Sequence, residues 1–119
     1  MINNPKWEFD EIILALELYL KFRPTPPGPA DPNIKNLSFL LRSVYYFKHQ
    51  LVSKTFRNPN GVAMKLQNLR SLDPKFDGAG LSKGSALESE IWNKFANNSK
   101  KLKLACDKVR KKVENKIFY

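Results

Sequence analysis

Four side chains on one short run, Asn60, Met64, Gln67 and Asn68, have the chemistry to meet the edges of nucleobases. A carboxamide donates and accepts at once, as an adenine edge requires, and a thioether can lie against a thymine methyl. Their spacing matters only if the run is helical, and "FRNPNGVAMKLQNLRSLDP", Phe56 to Pro74, reads that way. Asn58 stands where an N-cap belongs and Pro59 at the first helical position. Asp73-Pro74 closes the run.

With Val62 placed at zero and about 100° allowed per residue, Leu66 and Leu69 fall in one arc with it. The opposite face collects Asn60, Met64, Gln67, Asn68 and Ser71. Lys65 and Arg70 sit on the two shoulders, where cations could hold phosphates; Arg42, Lys54 and Arg57 from the flanking sequence are further candidates. The Asn-Pro-Asn-Gly start offers backbone N–H groups to an anion, and Gly61 permits a close approach. The same residues also suit an ordinary amphipathic helix with a turn and a cap.

Other chemistry is largely absent. His49 is the only histidine and Cys106 the only cysteine. That excludes zinc sets of four cysteines or of two cysteines with two histidines, and it leaves no histidine pair for an HNH-type nuclease centre. No Gly-x-Ser-x-Gly elbow frames a serine, and no Walker-type loop is present. No catalytic residue, metal or cofactor is expected. Cys106 reads as a small core residue, His49 as a surface or boundary residue, and Trp7 and Trp92 as core rather than stacking platforms.

Charge points the same way as the opening run. The chain has 119 residues and a formal net charge of +10. An excess of that size implies a polyanionic partner, with nucleic acid ahead of an acidic membrane surface. The excess is uneven. Met1 to Pro32 is mildly acidic, Asn33 to Leu72 holds no acidic residue, and the tail from Asn98 is basic again. A lysine-rich surface of incidental origin is the plain alternative. A lone cysteine forms no internal bridge, which suits a reducing compartment. No apolar run approaches a membrane span, and "MINNPKWEFDEI" shows no secretory pattern. A cytoplasmic, bacterial setting is the expectation.

The elements that must position these residues read as all-helical, in one domain of residues 1–119. A first helix, about Glu8 to Phe22, is apolar nearly all around and belongs at the centre. "RPTPPGPADP", residues 23–32, breaks it into a surface loop. A second helix starts near Asp31 or Asn33, with Ile34, Leu37, Leu40, Leu41 and Val44 inward. "YYFKHQLVSKTF" either prolongs it or forms an extended piece. The Phe56–Leu72 segment is the third helix and "DPKFDGAGLSKG" a connecting loop. Ser85 and Glu88 form a capping box for the fourth helix, with Ile91, Trp92 and Phe95 inward. A basic fifth helix runs from about 100 to 116, with Leu102, Ala105, Val109 and Val113 inward. The expected fold is a compact bundle of about five helices with a helix-turn-helix-like core.

Several of these stretches occur together in a recognisable order. They are "W-x-x-D-E-x-I-L-A-L-x-L-Y" at Trp7 to Tyr19, "I-x-x-L-S-x-L-L-R" at Ile34 to Arg42 and "F-R-N-P-N-G-V-x-M-K-L-x-N" at Phe56 to Asn68. "L-D-P" at Leu72 to Pro74, "G-L-S-K-G" at Gly80 to Gly84 and "W-x-x-F-A" at Trp92 to Ala96 follow. The set resembles the N-terminal domain that precedes HNH nuclease domains in bacterial restriction endonucleases of the McrA-like, modification-dependent type. The resemblance spans roughly Trp7 to Ala105, and the Phe56–Asn68 element is its most specific part. It implies DNA recognition beside a separate cutting domain in the same or another chain. The nuclease half has no counterpart in these residues, so this chain alone is expected not to cut.

The expected partner is therefore double-stranded DNA, with Arg42, Lys54, Arg57, Lys65 and Arg70 on phosphates. Asn60, Met64, Gln67 and Asn68 would face base edges. A rival reading is a protein-interaction or oligomerisation module whose basic tail docks an acidic partner; RNA binding is a lesser one.

Overall fold

The computed structural model describes residues 4–49, 53–76 and 85–117. Within them the chain forms five helices and no strand: α1 (Phe9–Phe22), α2 (Pro32–His49), α3 (Pro59–Arg70), α4 (Ala86–Phe95) and α5 (Ser99–Ile117). The all-helical bundle read from the sequence is the fold observed.

Helix α1 packs against each of the other four. Its apolar residues wrap most of the way round, so it can be buried from several sides. Residues Glu11 to Leu16 and Tyr19 are all buried. Its start is capped from within, where the Glu8 N–H donates to Glu11 Oε1 at 2.8 Å. Acidic Asp10 and Glu11 in the first turn and Lys21 in the last complement the helix dipole.

Helix α2 starts at Pro32, where the Asp31 carboxylate accepts from the Asn33 N–H at 2.8 Å. Ile34, Leu37, Leu41 and Val44 are buried. The ambiguous "YYFKH" prolongs this helix to His49 because Tyr45 still has a core partner, the Phe56 ring at 4.3 Å. Residues 50–58 separate α2 from α3. That is longer than the three- to four-residue turn of a helix-turn-helix pair. Residues 50–52 of that connection, and residues 77–84 of the glycine-containing loop with its "GLSKG" motif, lie outside the described residues.

Helix α4 begins at the capping box, with the Glu88 N–H on Ser85 Oγ and the Ser85 N–H on Glu88 Oε2, each at 3.2 Å. Ile91, Trp92 and Phe95 are buried as expected. On α5 the inward positions are Leu102, Cys106, Val109 and Val113, while Ala105 is only half-buried. Cys106 takes the inner place because steps of four, three and four keep one stripe facing α1. Its thiol donates to the Ile13 carbonyl, with 3.3 Å between sulfur and oxygen.

Helix α3 is tied to α1 at both ends. Before its start, Arg57 pairs with Glu11 in the first turn of α1. Past its end, the buried Asp73 accepts from Tyr19 Oη at 2.7 Å and from Arg23 Nε at 2.9 Å. Matching start to start and end to end makes the two helices run in the same direction. The middle of α3 is held to α4 by the ion pair of Lys65 with Glu88.

Candidate nucleic-acid interface

The local sequence of α3 sets its surface. Asn58 has the extended backbone of an N-cap, and its side chain accepts from the Gly61 N–H at 2.8 Å. Pro59 occupies the first turn, where a missing N–H costs nothing. A Cβ on Gly61 would come within 3.3 Å of the Asn58 carboxamide oxygen, so the glycine makes room for the cap. Gly61 therefore serves the helix start, and its N–H is taken by Asn58 rather than held open for an anion.

Val62, Ala63, Leu66 and Leu69 are buried. Opposite them, Asn60 and Gln67 are exposed, Met64 is 67% exposed and Asn68 is half-buried. The four expected base-facing residues thus share the outer side of one helix. Ser71 at its end is turned inward on its own helix, donating to the Asn68 carbonyl at 2.6 Å.

The five expected phosphate-holding cations fare differently. Arg57 is 4% exposed and lies inside the fold. Its Nε donates to Glu11 Oε2 at 2.6 Å, and Nη2 donates to Glu11 Oε1 and to the Pro5 carbonyl, both at 3.0 Å. Its plane also rests on the Trp7 ring, 4.6 Å from the centroid. Its backbone sits at a φ of 48°, the left-handed region that a non-glycine residue enters at a cost, and the ion pair holds it there. Arg57 is withdrawn from the phosphate set because its charge is already neutralised in a buried site.

Lys65 is also spent. It pairs with the buried Glu88, and its ammonium lies over the Trp7 ring, 5.1 Å from the centroid. Arg42 is half-buried and donates to the carbonyls of Ser53 at 2.9 Å and Phe56 at 2.5 Å, which shapes the loop before α3. Arg70 stacks on Phe76, 4.1 Å from its centroid, and its buried Nε has no partner among the described residues. Lys54 is exposed. The stretch that is acid-free along the chain is not acid-free in space: Glu11 from α1 and Glu88 from α4 reach into it.

A groove of about 390 Å³ runs along the first half of α3. One wall is Asn58, Gly61, Met64, Lys65 and Asn68; the other is the extended segment Asn4, Pro5 and Trp7. Asn4 Nδ2 donates to Thr55 Oγ1 at 3.4 Å, and Asn4 Oδ1 accepts from Ser53 Oγ at 3.1 Å, which pins that segment across the loop. Asn4 and Trp7 were not expected at this face; the exposed Lys6 lies between them in the chain. Nothing local marks an extended N-terminal segment for a helix some fifty residues away. The Pro5 carbonyl bonded to Arg57 is what brings it there.

Among the described residues no cluster of three or more His, Cys, Asp or Glu side chains could hold a metal ion. Burial pushes the Cys106 thiol up to about 12, so it stays protonated and unreactive. His49 is exposed, 3.5 Å from a Glu8 carboxylate oxygen. Among the described residues no helix is long and apolar enough to cross a membrane. No family model, curated protein or solved structure matches the chain.

Proposed function

We propose that the outer side of α3 is a duplex-DNA interface and that the chain is a targeting module for a restriction- or defence-type nuclease. The observation that supports this reading best is the composition of that side. Asn60, Met64, Gln67 and Asn68 point outward from a helix whose other side is locked in the core. None is a carboxylate that would repel phosphates, and an α-helix of this diameter fits a major groove. Cleavage would come from a nuclease domain in the same or another chain, consistent with the resemblance noted in the sequence.

Withdrawing Arg57 and Lys65 changes the electrostatics. Among the described residues, the cations on α3 or on the segments flanking it that no carboxylate pairs with include Lys6, Lys54, Arg70 and Lys75. If these four meet phosphates, log K should fall with log[salt] at a slope of about −3 to −4. Fluorescence anisotropy on a randomised duplex pool, followed by a salt titration on the enriched sequence, measures it. Lys54→Ala should weaken all duplexes alike and flatten the slope by about one unit. Gln67→Ala or Asn60→Ala should cost about 1–3 kcal/mol on the enriched sequence and little elsewhere. A slope near zero, or absence of binding at low salt, overturns the proposal.

A further inference from the structure

A second face of the molecule, away from α3, combines features that duplex DNA would leave unused. A groove of about 370 Å³ lies between the start of α1, the end of α4 and the outer side of α5. Its floor is apolar. Phe9 is 40% exposed, Leu104 is 59% exposed, and the Phe95 ring meets Phe9 edge-on with centroids 6.0 Å apart. Its rim is cationic. Lys101, Lys108 and Lys112 fall within an arc of about 40° on α5, as helical geometry of about 100° per residue requires. Lys94 from α4 stands beside them, and Lys94 and Lys101 have their ammonium groups 5.6 and 5.7 Å from the Phe95 ring centroid.

Charge on this rim is unbalanced. Among the described residues the one carboxylate lining the groove, Asp10, is engaged by Lys48 Nζ at 3.0 Å. No carboxylate pairs with Lys94, Lys101, Lys108 or Lys112 among the described residues. Elsewhere on the same helix the opposite holds: Lys103 pairs with Asp107, and Arg110 pairs with both Asp107 and Glu17. Helix α5 therefore pairs Lys103 and Arg110 with carboxylates and leaves Lys101, Lys108 and Lys112 without one among the described residues, next to the exposed Leu104.

We propose that this groove docks one acidic amphipathic helix from a partner protein. An apolar stripe at i, i+3 and i+7 would seat on Phe9, Phe95 and Leu104, and Asp or Glu on its flanks would meet the four lysines. The ladder from Lys101 to Lys112 rises about 16 Å, so a helix of about three turns matches it. Nucleic acid is disfavoured because its phosphates have no apolar surface for Phe9 and Leu104. A lipid surface is the alternative occupant that the vesicle arm of the test separates from a peptide. The inference does not depend on α3 reading DNA.

The test uses the whole chain and synthetic 14-residue helical peptides. One carries a leucine stripe flanked by glutamates, one has the same composition scrambled, and one has lysines in place of the glutamates. Binding is followed by anisotropy and by amide shift mapping. The patterned acidic peptide should bind at α5 and shift residues around Leu104. Lys108→Glu with Lys112→Glu should weaken it by about tenfold or more, and Leu104→Ser should weaken it as well. These positions are exposed, and unchanged circular dichroism would show that the variants fold. Equal binding of the scrambled peptide, or no loss in the variants, overturns the proposal. So does Leu104-dependent binding to phosphatidylserine vesicles without binding of the peptide, which would identify the face as a membrane surface.

Discussion

Helices α3 and α5 are both basic in sequence, and their surfaces are built on opposite plans. Around α3 the cations turn inward. Arg57 is neutralised by Glu11, Lys65 by Glu88, and Arg42 is spent on loop carbonyls. What remains on the outer side of α3 itself is neutral-polar: Asn60, Met64, Gln67 and Asn68. On α5 the inward side is purely apolar, through Leu102, Cys106, Val109 and Val113, and lysines stay outside beside Leu104. Positive charge in a sequence thus becomes internal bracing where a folded neighbour supplies a carboxylate, and surface potential where none does. The difference also concerns precision. A carboxamide contact must be placed within a few tenths of an ångström, and α3 is clamped at both ends and in the middle. A helix-docking groove tolerates more, and an apolar seam is enough to hold it.

If α3 is braced by its buried ion pair, removing one partner should be costly. Arg57→Ala leaves the Glu11 carboxylate buried without compensation and should destabilise the fold by about 3–5 kcal/mol, read by urea denaturation. A cost under about 1 kcal/mol would mean that the pair is not a brace and that the two plans do not differ.

The α5 plan predicts a sharp contrast between neighbours two residues apart. Leu102 is 2% exposed and Leu104 59% exposed. Leu102→Ala should cost about 2–5 kcal/mol, whereas Leu104→Ala should stay within about 0.5 kcal/mol. Similar losses at both positions would show that Leu104 belongs to the core rather than to a docking floor.

The clamp at the far end of α3 should respond to acid. Burial would raise the Asp73 carboxyl, but bonds from Arg23, the Lys75 amide and Tyr19 outweigh it and hold it below the usual carboxylate range. A group lowered on folding contributes fully above its unfolded value, about 3.9, and loses that contribution as pH falls through its folded value. Asp73→Asn should therefore cost about 1–3 kcal/mol at neutral pH. The gap to the parent should narrow as the pH is lowered below about 4. Thermal melts across that range would show it, and a gap independent of pH would remove the carboxylate from the clamp.

Local rules carried much of this molecule. The Asn58–Pro59 start, the Ser85–Glu88 capping box and most of each apolar stripe are short-range features that appear where the residues place them, Ala105 and Leu40 being the inward positions found only partly buried. The outward set Asn60, Met64, Gln67 and Asn68 was legible for the same reason, since helical spacing alone decides which side chains share a face. The fate of the cations was not legible. Arg57 meets Glu11, Arg23 meets Asp73 and Lys65 meets Glu88 across long stretches of chain, and such pairs exist only once α1 and α4 are packed on α3. Nor could the sequence place Asn4 and Trp7 against α3, or single out Lys101, Lys108 and Lys112 on α5, because a lysine's partner depends on which carboxylate the fold brings within reach. Periodicity is a property of one helix and can be read from one segment. Burial of charge is a property of several, and only the tertiary structure decided it.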